Sequence, residues 1–417
     1  MSVLGIVAEF NPFHNGHLHL LTAVKDNGSF DAVVCVMSGS FLQRAEPAIC
    51  NKWSRAEMAL KAGIDLVIEL PFCFAVRSAY YFARGAVQLL ERTGVVTHLG
   101  FGSEHGNLTH LQKIAAILVQ EPDDYKVLLK KLLGLGLSFP AARSQALQQF
   151  LGPQSINLEE LLTGSNNILA IEYLHNIKKD NLNLLPFTIP RIGQNYHSEQ
   201  LSNYSSATAI RTALQKNPVM SAEISQSLPL TSKNILLREL NSGGAPVLPN
   251  ALEQAILANL RSMSINSLKD IYEISEGLEY RIKEASRLSG NLDQLRRRIK
   301  SKRYSLSRIN RILLYSFFAL TREQIAVFDQ HGPLYFHILA VSSKGREILQ
   351  EIKNKSNLTI LNRGSEVKKL SKEEGKSTAG DMLALDIWAT DIYSLLLPNP
   401  DMRSGGKDFL TSPLLLS

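Results

Sequence analysis

The chain has 417 residues, 45% hydrophobic and 20% charged, with 45 Lys and Arg against 38 Asp and Glu for a net charge of +7. That length exceeds one ordinary core and points to two domains or three, and the balanced composition excludes a low-complexity or disordered chain. No run of 18 apolar residues occurs, and the start "MSVLGIVAEF" lacks a basic segment and soon meets Asn11 and Pro12, which argues against a membrane span and a signal peptide and for a cytoplasmic protein.

Four apolar, β-rich runs recur in the first hundred residues: "VLGIVA" from Val3, "AVVCVM" from Ala32, "DLVIEL" from Asp65 and "THLGFG" from Thr97. Helix-like segments lie between them, and two end at Gly63 and Gly94, as helix C-termini commonly do. Strands alternating with helices at this spacing predict βαβ units, an α/β fold with a Rossmann-like parallel sheet, and ligands at the carboxyl ends of the strands. Residues 107–180 read as mostly helical, "NLLPFTIPR" (183–191) as a fifth strand, and "SSATAIRTALQK" (205–216) as a helix started by Ser or Thr. Asn217 and Pro218 break the pattern, which places a boundary between a 1–216 domain and a 217–417 region. That region reads as helical over 217–330, with a small α/β unit over 331–417. Cys35, Cys50 and Cys73 have no metal spacing and read as buried free thiols.

The turn after the first strand carries "EFNPFHNGH". A strand–loop–helix junction aims free backbone N–H groups and the positive helix end into the turn, where phosphate is the usual occupant. Gly16 lets a ligand approach the backbone, and His14 and His17 can donate to phosphoryl oxygens without a permanent charge. Helix-capping or core histidines are the plainer alternative. A zinc site on H-x-x-H is another, but no third ligand cluster or metal spacing accompanies it. There is no G-x-x-x-x-G-K-[ST] loop for γ-phosphate transfer.

The H-x-G-H run resembles the signature of the nucleotidylyltransferase superfamily. Together, "GIVAEFNPFHNGH", "MSGSFLQRAEPAICNKWSRAEMALKAGIDLVIELPF", "FGSE", "GSNNILAIEY" and "IPRIGQNYHS…SSATAIR" resemble the bacterial tRNA(Met) cytidine acetate ligase family, colinearly from residue 3 to about 216. The resemblance continues, more weakly, through "KRYSLSRINRILL" and "GREIL". It implies an ATP-dependent carbon–nitrogen ligase. Acetate and ATP would give acetyl-adenylate and pyrophosphate, and the acetyl group would pass to the wobble cytidine of elongator tRNA(Met) as N4-acetylcytidine. ATP and acetate are then co-substrates, with Mg²⁺ accompanying the phosphates, and tRNA is the partner.

On this resemblance His14 and His17 are the catalytic candidates. The nucleotide cradle would be Val7, Ala8, Glu9, Phe10, Asn11, Pro12, Phe13, His14, Asn15, Gly16, His17, Leu18, His19 and Leu20. Gly102, beside Ser103 at the end of the fourth strand, and Arg191, after the fifth, lie on the ligand side of the sheet; Asn166 is assigned to ATP by the family match. A strand-ending turn, an exposed arginine and a helix cap are the respective plain alternatives. "SSATAIR" resembles a second phosphate motif, with Ser206, Thr208 and Arg211 as possible ligands, though Ser206 equally suits an N-cap; the K-M-S-K-S motif of synthetases is absent. Gln43, Arg44 and Glu46 fall in a loop on the same side, where Ala45 departs from the glycine of the family's Q-R-G-E-P.

"RRRIKSKRYSLSRINR" (296–311) holds Arg296, Arg297, Arg298, Lys300, Lys302, Arg303, Arg308 and Arg311 with no acidic residue. These eight charges exceed the whole chain's net excess of seven. Such a block suits a phosphate backbone and marks 217–417 as the tRNA-binding region, a solvated helix face being the alternative. Tyr304 reads as a core residue. The runner-up functions are transfer of AMP or CMP to a small phosphorylated substrate, and an RNA-binding module with a degenerate nucleotide fold.

Overall fold

Five of the apolar runs become the strands β1 (Val3–Ala8), β2 (Ala32–Ser38), β3 (Leu66–Leu70), β4 (His98–Ser103) and β5 (Leu185–Pro190). The computed structural model describes every residue except 29, 105, 153–157, 192–200 and 417. β2 is buried along its whole length, and apolar cores cover both faces of the sheet. That double burial is why these strands read as continuous Val/Ile/Leu runs rather than alternating ones. β1 lies between β2 and β4, Leu4 opposite Val33 on one side and His98 on the other, and β4 carries β5 at its outer edge. All these pairings are parallel. The chain builds β1, β2 and β3 outward in one direction and then returns to place β4 on the free side of β1. The topological switch point, where a ligand crevice opens beyond the carboxyl ends, is therefore between β1 and β4.

The expected small α/β unit at 331–417 requires correction. Its strands β6 (Tyr335–Val341), β7 (Thr359–Leu361) and β8 (Leu414–Leu415) do not form a sheet of their own. β6 runs antiparallel to β3, with Leu66 opposite Val341 and Glu69 opposite His337, and β7 and β8 pair with β6. The boundary at 216 thus does not divide the sheet. β3 would otherwise present an open edge of unpaired N–H and C=O groups, and all seven residues of β6 are buried, which needs cover on both faces.

Helices fill 217–330 as expected, from Ala222–Gln226 to Arg322–His331. They are tied to the sheet layer at several places: Tyr315 Oη donates to the Val76 carbonyl at 2.7 Å, buried Arg77 reaches Asp329 at 3.1 Å and the Tyr272 hydroxyl at 2.9 Å, and Ser54 Oγ donates to Glu239 at 2.8 Å. The three cysteines are buried and free. Among the described residues no helix is long and apolar enough to cross a membrane.

Candidate active site

At the end of β1 the chain passes through Phe10, Asn11, Pro12 and Phe13 into the helix Asn15–Asn27, whose N-cap is His14. Asn11 is buried and its Oδ1 accepts the Ile49 N–H at 2.7 Å, fixing the turn against the loop after β2. His14 Nδ1 accepts the Gly16 N–H at 3.0 Å, and His17 Nδ1 accepts the His14 N–H at 3.2 Å. The two imidazoles thus cap the helix as Ser and Glu would in a capping box. They stack with ring centroids 3.8 Å apart, and Phe10 and Phe13 pack against His17 at 5.0 and 5.4 Å. The capping alternative is therefore correct as far as the Nδ1 atoms go, and it leaves the Nε2 atoms for other work.

An Nδ1 that accepts a backbone hydrogen bond carries no proton, so the hydrogen-bond network assigns the neutral ring's proton to Nε2 in both residues. Burial holds His14 down to about 3, and Arg191 and Arg211 act in the same direction. Burial also holds His17 well below its ordinary range, with His14 and Arg191 adding to the effect. Both histidines are neutral donors at pH 7. Gly16 contributes room: a Cβ there would stand 2.9 Å from His14 Cε1. The glycine accommodates the cap ring, a nearer reason than the ligand approach expected from the sequence.

Arg211 and Arg191 bring positive charge to this pair. Arg211 donates to the Asn11 carbonyl at 2.9 Å and to Thr208 Oγ1 at 3.2 Å. Arg191 follows β5, its N–H bonded to the Ser103 carbonyl at 3.0 Å and its guanidinium to Asn166 Oδ1. Gly102 makes this possible, because a Cβ there would lie 2.9 Å from Arg191 Cγ. Asn166 is held in turn by Glu104, which accepts its side-chain amide at 2.6 Å and the backbone N–H groups of Asn166 and Asn167 at 3.0 and 2.7 Å. Gly102, Asn166 and Arg191 are one connected unit at the ends of β4 and β5. Ser206 is an N-cap, accepting the Ala209 N–H at 3.1 Å. Asn15 turns its amide onto the carbonyls of Asn203 and Gln226, at 2.8 and 2.7 Å, so this member of the expected cradle fastens chain segments. The 192–198 part of "IPRIGQNYHS" lies outside the described residues.

Two further residues build the site without having been singled out in the sequence. Glu104 sits 62 positions from Asn166, beyond the reach of any local pattern. Arg55, fully buried, donates to the carbonyls of Glu9 (2.6 Å), Ser38 (3.1 Å), Cys50 (3.3 Å) and Gly39, joining the ends of β1 and β2. In the sequence it resembles a surface arginine of an amphipathic helix. The loop that follows β2 closes on the same place: the Gln43 N–H donates to Glu9 Oε1 at 2.8 Å and Gln43 Nε2 to the Arg77 carbonyl at 3.0 Å. Ala45 in this loop has φ 61°, the left-handed region that favours glycine.

The basic block divides by burial and pairing. Arg311 is buried near Glu273, and Arg308 donates to the Glu273 carbonyl at 3.0 Å. Arg296 is held by Asn310 at 2.8 Å and Asp293 at 3.0 Å. Arg297, Arg298, Lys300, Lys302 and Arg303 are exposed, Arg303 with Glu276 at 2.6 Å. Tyr304 is buried, as expected.

Behind the site, Glu69, His337 and Asp408 bring possible metal-ligating atoms within 4.8 Å of one another. The Lys52 ammonium occupies that centre, 2.7 Å from Glu69 and 2.6 Å from Asp408.

The model of the HIGH Nucleotidyl Transferase family matches residues 1–408. The chain is 58% identical over 414 residues to a tRNA(Met) cytidine acetate ligase of Syntrophomonas wolfei, covering 99% of both chains. It is 40% identical over 417 residues to the enzyme of that name from Halothermothrix orenii, covering 98% of both. The crystal structure of apo Thermotoga maritima TmcAL superposes with a TM-score of 0.93 at 39% identity over all of both chains, and that of the form bound with alpha-thio ATP with a TM-score of 0.91.

Proposed function

This chain belongs to the HIGH Nucleotidyl Transferase family and to the tRNA(Met) cytidine acetate ligases within it, and on that premise we propose how its residues divide the work. The enzyme is an ATP-dependent ligase that activates acetate as acetyl-adenylate and acetylates the wobble cytidine of elongator tRNA(Met). In the first step an acetate oxygen attacks the α-phosphorus and pyrophosphate leaves. In the second the N4 amine of the cytidine attacks the acetyl carbonyl and AMP leaves. A tRNA substrate puts the reaction in the cytoplasm, and magnesium enters with the ATP phosphates.

The observation that carries the assignment is the stacked pair of neutral imidazoles whose Nδ1 atoms are fixed by backbone N–H groups. Their Nε2–H groups are preorganised donors for the charge that builds on the α-phosphate oxygens, and they need no reorientation during reaction. A neutral donor also avoids repelling the metal that accompanies ATP. Arg191, oriented by Asn166 and Gly102, supplies fixed charge from the β5 side, and Arg211 from the "SSATAIR" helix. The backbone of 7–20 forms the cradle around the phosphates. The five exposed cations of 297–303 grip the tRNA backbone; Arg296, Arg308 and Arg311 support them from within.

The test is acetate-dependent exchange of pyrophosphate into ATP by the purified protein, beside mass spectrometry of tRNA(Met) nucleosides after incubation with acetate and ATP. Exchange that requires acetate and N4-acetylcytidine at the wobble position are expected. Transfer of AMP to a phosphorylated acceptor without acetate would overturn the assignment. Reversing Arg297, Arg298 and Arg303 to Glu should weaken tRNA binding and flatten its salt dependence by roughly one unit of log–log slope per lost phosphate contact, read by filter binding across salt. Wild-type affinity and slope would return the block to a solvated helix face.

A further inference from the structure

The cradle contains one group whose charge is wrong for holding phosphate. Glu9, the first residue after β1, puts a carboxylate in the field of Arg211, the arginine that also acts on His14, and an anion in this turn weakens rather than strengthens ATP binding. Its position is built with care. Oε1 accepts the Gln43 N–H at 2.8 Å, and its own carbonyl is held by buried Arg55 at 2.6 Å. Among the described residues no donor bonds Oε2, and the residue is half-buried. One carboxylate oxygen is thus clamped while the other has no donor, at the carboxyl end of β1, the side of such a sheet where ligands bind.

The second step needs such a group. When the cytidine N4 attacks the acetyl carbonyl, the new C–N bond forms and the bond from that carbon to the phosphate oxygen breaks, releasing AMP. The nitrogen then carries one proton too many. Neither neutral histidine suits this role, because each has its Nδ1 engaged by backbone and its Nε2 already protonated. A carboxylate is also the side chain that pairs with the exocyclic amine of cytosine. We propose that Glu9 binds the N4 amine of the incoming cytidine through Oε2 and takes its proton during acyl transfer, while taking no part as a base in adenylate formation.

The surroundings suit a base. Burial raises the Glu9 carboxyl above its ordinary range, against the lowering effects of the Gln43 N–H, Arg211, Arg55 and Arg44. Tyr173 also feels the charge of Glu9, and burial keeps that phenol protonated. The proton passes to Glu9 and then to water, so no further reactant is required.

This inference rests on the ligase assignment, and the experiment separates the two. Glu9→Gln keeps an oxygen acceptor for the Gln43 N–H, so the loop after β2 should stay in place. Acetate-dependent pyrophosphate exchange should fall by no more than about tenfold. Single-turnover transfer from preformed acetyl-adenylate to tRNA(Met) should fall by at least about 100-fold, the usual lower bound for a positioned base. Acetyl-adenylate should accumulate. The wild-type transfer rate should rise with pH through a carboxyl titration and then level, and Glu9→Gln should lack that acidic limb. Glu9→Asp, a retracted carboxylate, should keep the limb at a reduced rate. If wild type shows no acetate-dependent exchange, the ligase assignment fails. If wild type exchanges and Glu9→Gln transfers at its rate, or loses exchange and transfer equally, the role of Glu9 is overturned.

Discussion

Two charged constellations adjoin the same sheet, one in the turn after β1 and one around Lys52, and they are built on opposite principles. In the Lys52 cluster one ammonium stands between two carboxylates: it contacts Glu69 and Asp408 at 2.7 and 2.6 Å, His337 Nδ1 stands 2.7 Å from Glu69, and Thr390 accepts from the ammonium at 3.1 Å. In the crevice at β1 the histidines are fixed by backbone groups at one ring nitrogen and left unengaged at the other, and Glu9 is clamped at one oxygen only. The first arrangement has its centre filled by the Lys52 ammonium, and its result is to hold β3, β6 and the C-terminal helices together. The second is rigid and still unsaturated, the state a reacting group requires. Titratable clusters therefore signal chemistry only when some of their hydrogen-bonding capacity is open toward a crevice.

That contrast breaks most directly at Lys52. Lys52→Met leaves Glu69 and Asp408 buried without their cation, and should destabilise the fold by roughly 3–5 kcal/mol in urea unfolding. A loss under about 1 kcal/mol would mean the cluster is not structural. His17→Ala should do the reverse. Acetate-dependent exchange should fall roughly 100-fold or more, while stability changes by about 1 kcal/mol for the lost cap. Wild-type exchange in a folded variant would remove His17 from the machinery.

The two constellations should also titrate in different windows. The histidines have lowered pKa values when folded, so below their ordinary 6.5 the unfolded chain binds more protons. Their contribution is complete above pH 6.5 and is lost as pH falls toward about 3. For Glu69 burial alone would raise the carboxyl, but Lys52 and His337 outweigh it and hold it down to about 2. Its contribution is complete above about 4.5 and is lost as pH falls through 2. Urea midpoints from pH 8 to 3 should therefore decline for wild type already between 6.5 and 4.5, and less steeply for His14→Gln. Equal slopes for the two proteins in that interval would refute the neutral-histidine assignment. The smallest effect is expected at Ala45, where φ is 61°. Ala45→Gly relieves a left-handed alanine at the cost of a more flexible unfolded chain, and should shift stability upward by no more than about 1 kcal/mol. A clear loss would show that the loop tolerates the alanine without strain.

The sequence by itself determined the strands β1 to β5, the helix start at Ser206, and the place of the His pair in the first strand–helix turn. These depend on neighbours within a turn or two, where side-chain periodicity and caps act through bonds of fixed local geometry. Full-length similarity then made the function legible. Tertiary structure alone decided the rest. β6 joined β3 antiparallel because an open strand edge 270 residues upstream needed a partner, and no local window records which edges are free. Glu104 came to orient Asn166, and through it Arg191, by hydrogen bonds across 62 and 25 positions. The basic run, uniform in sequence, separated into buried or half-buried cations and exposed ones once Glu273 and Asp293 were folded against it. Charge is written residue by residue, but whether a charge is neutralised depends on distance in space, and only folding sets that distance.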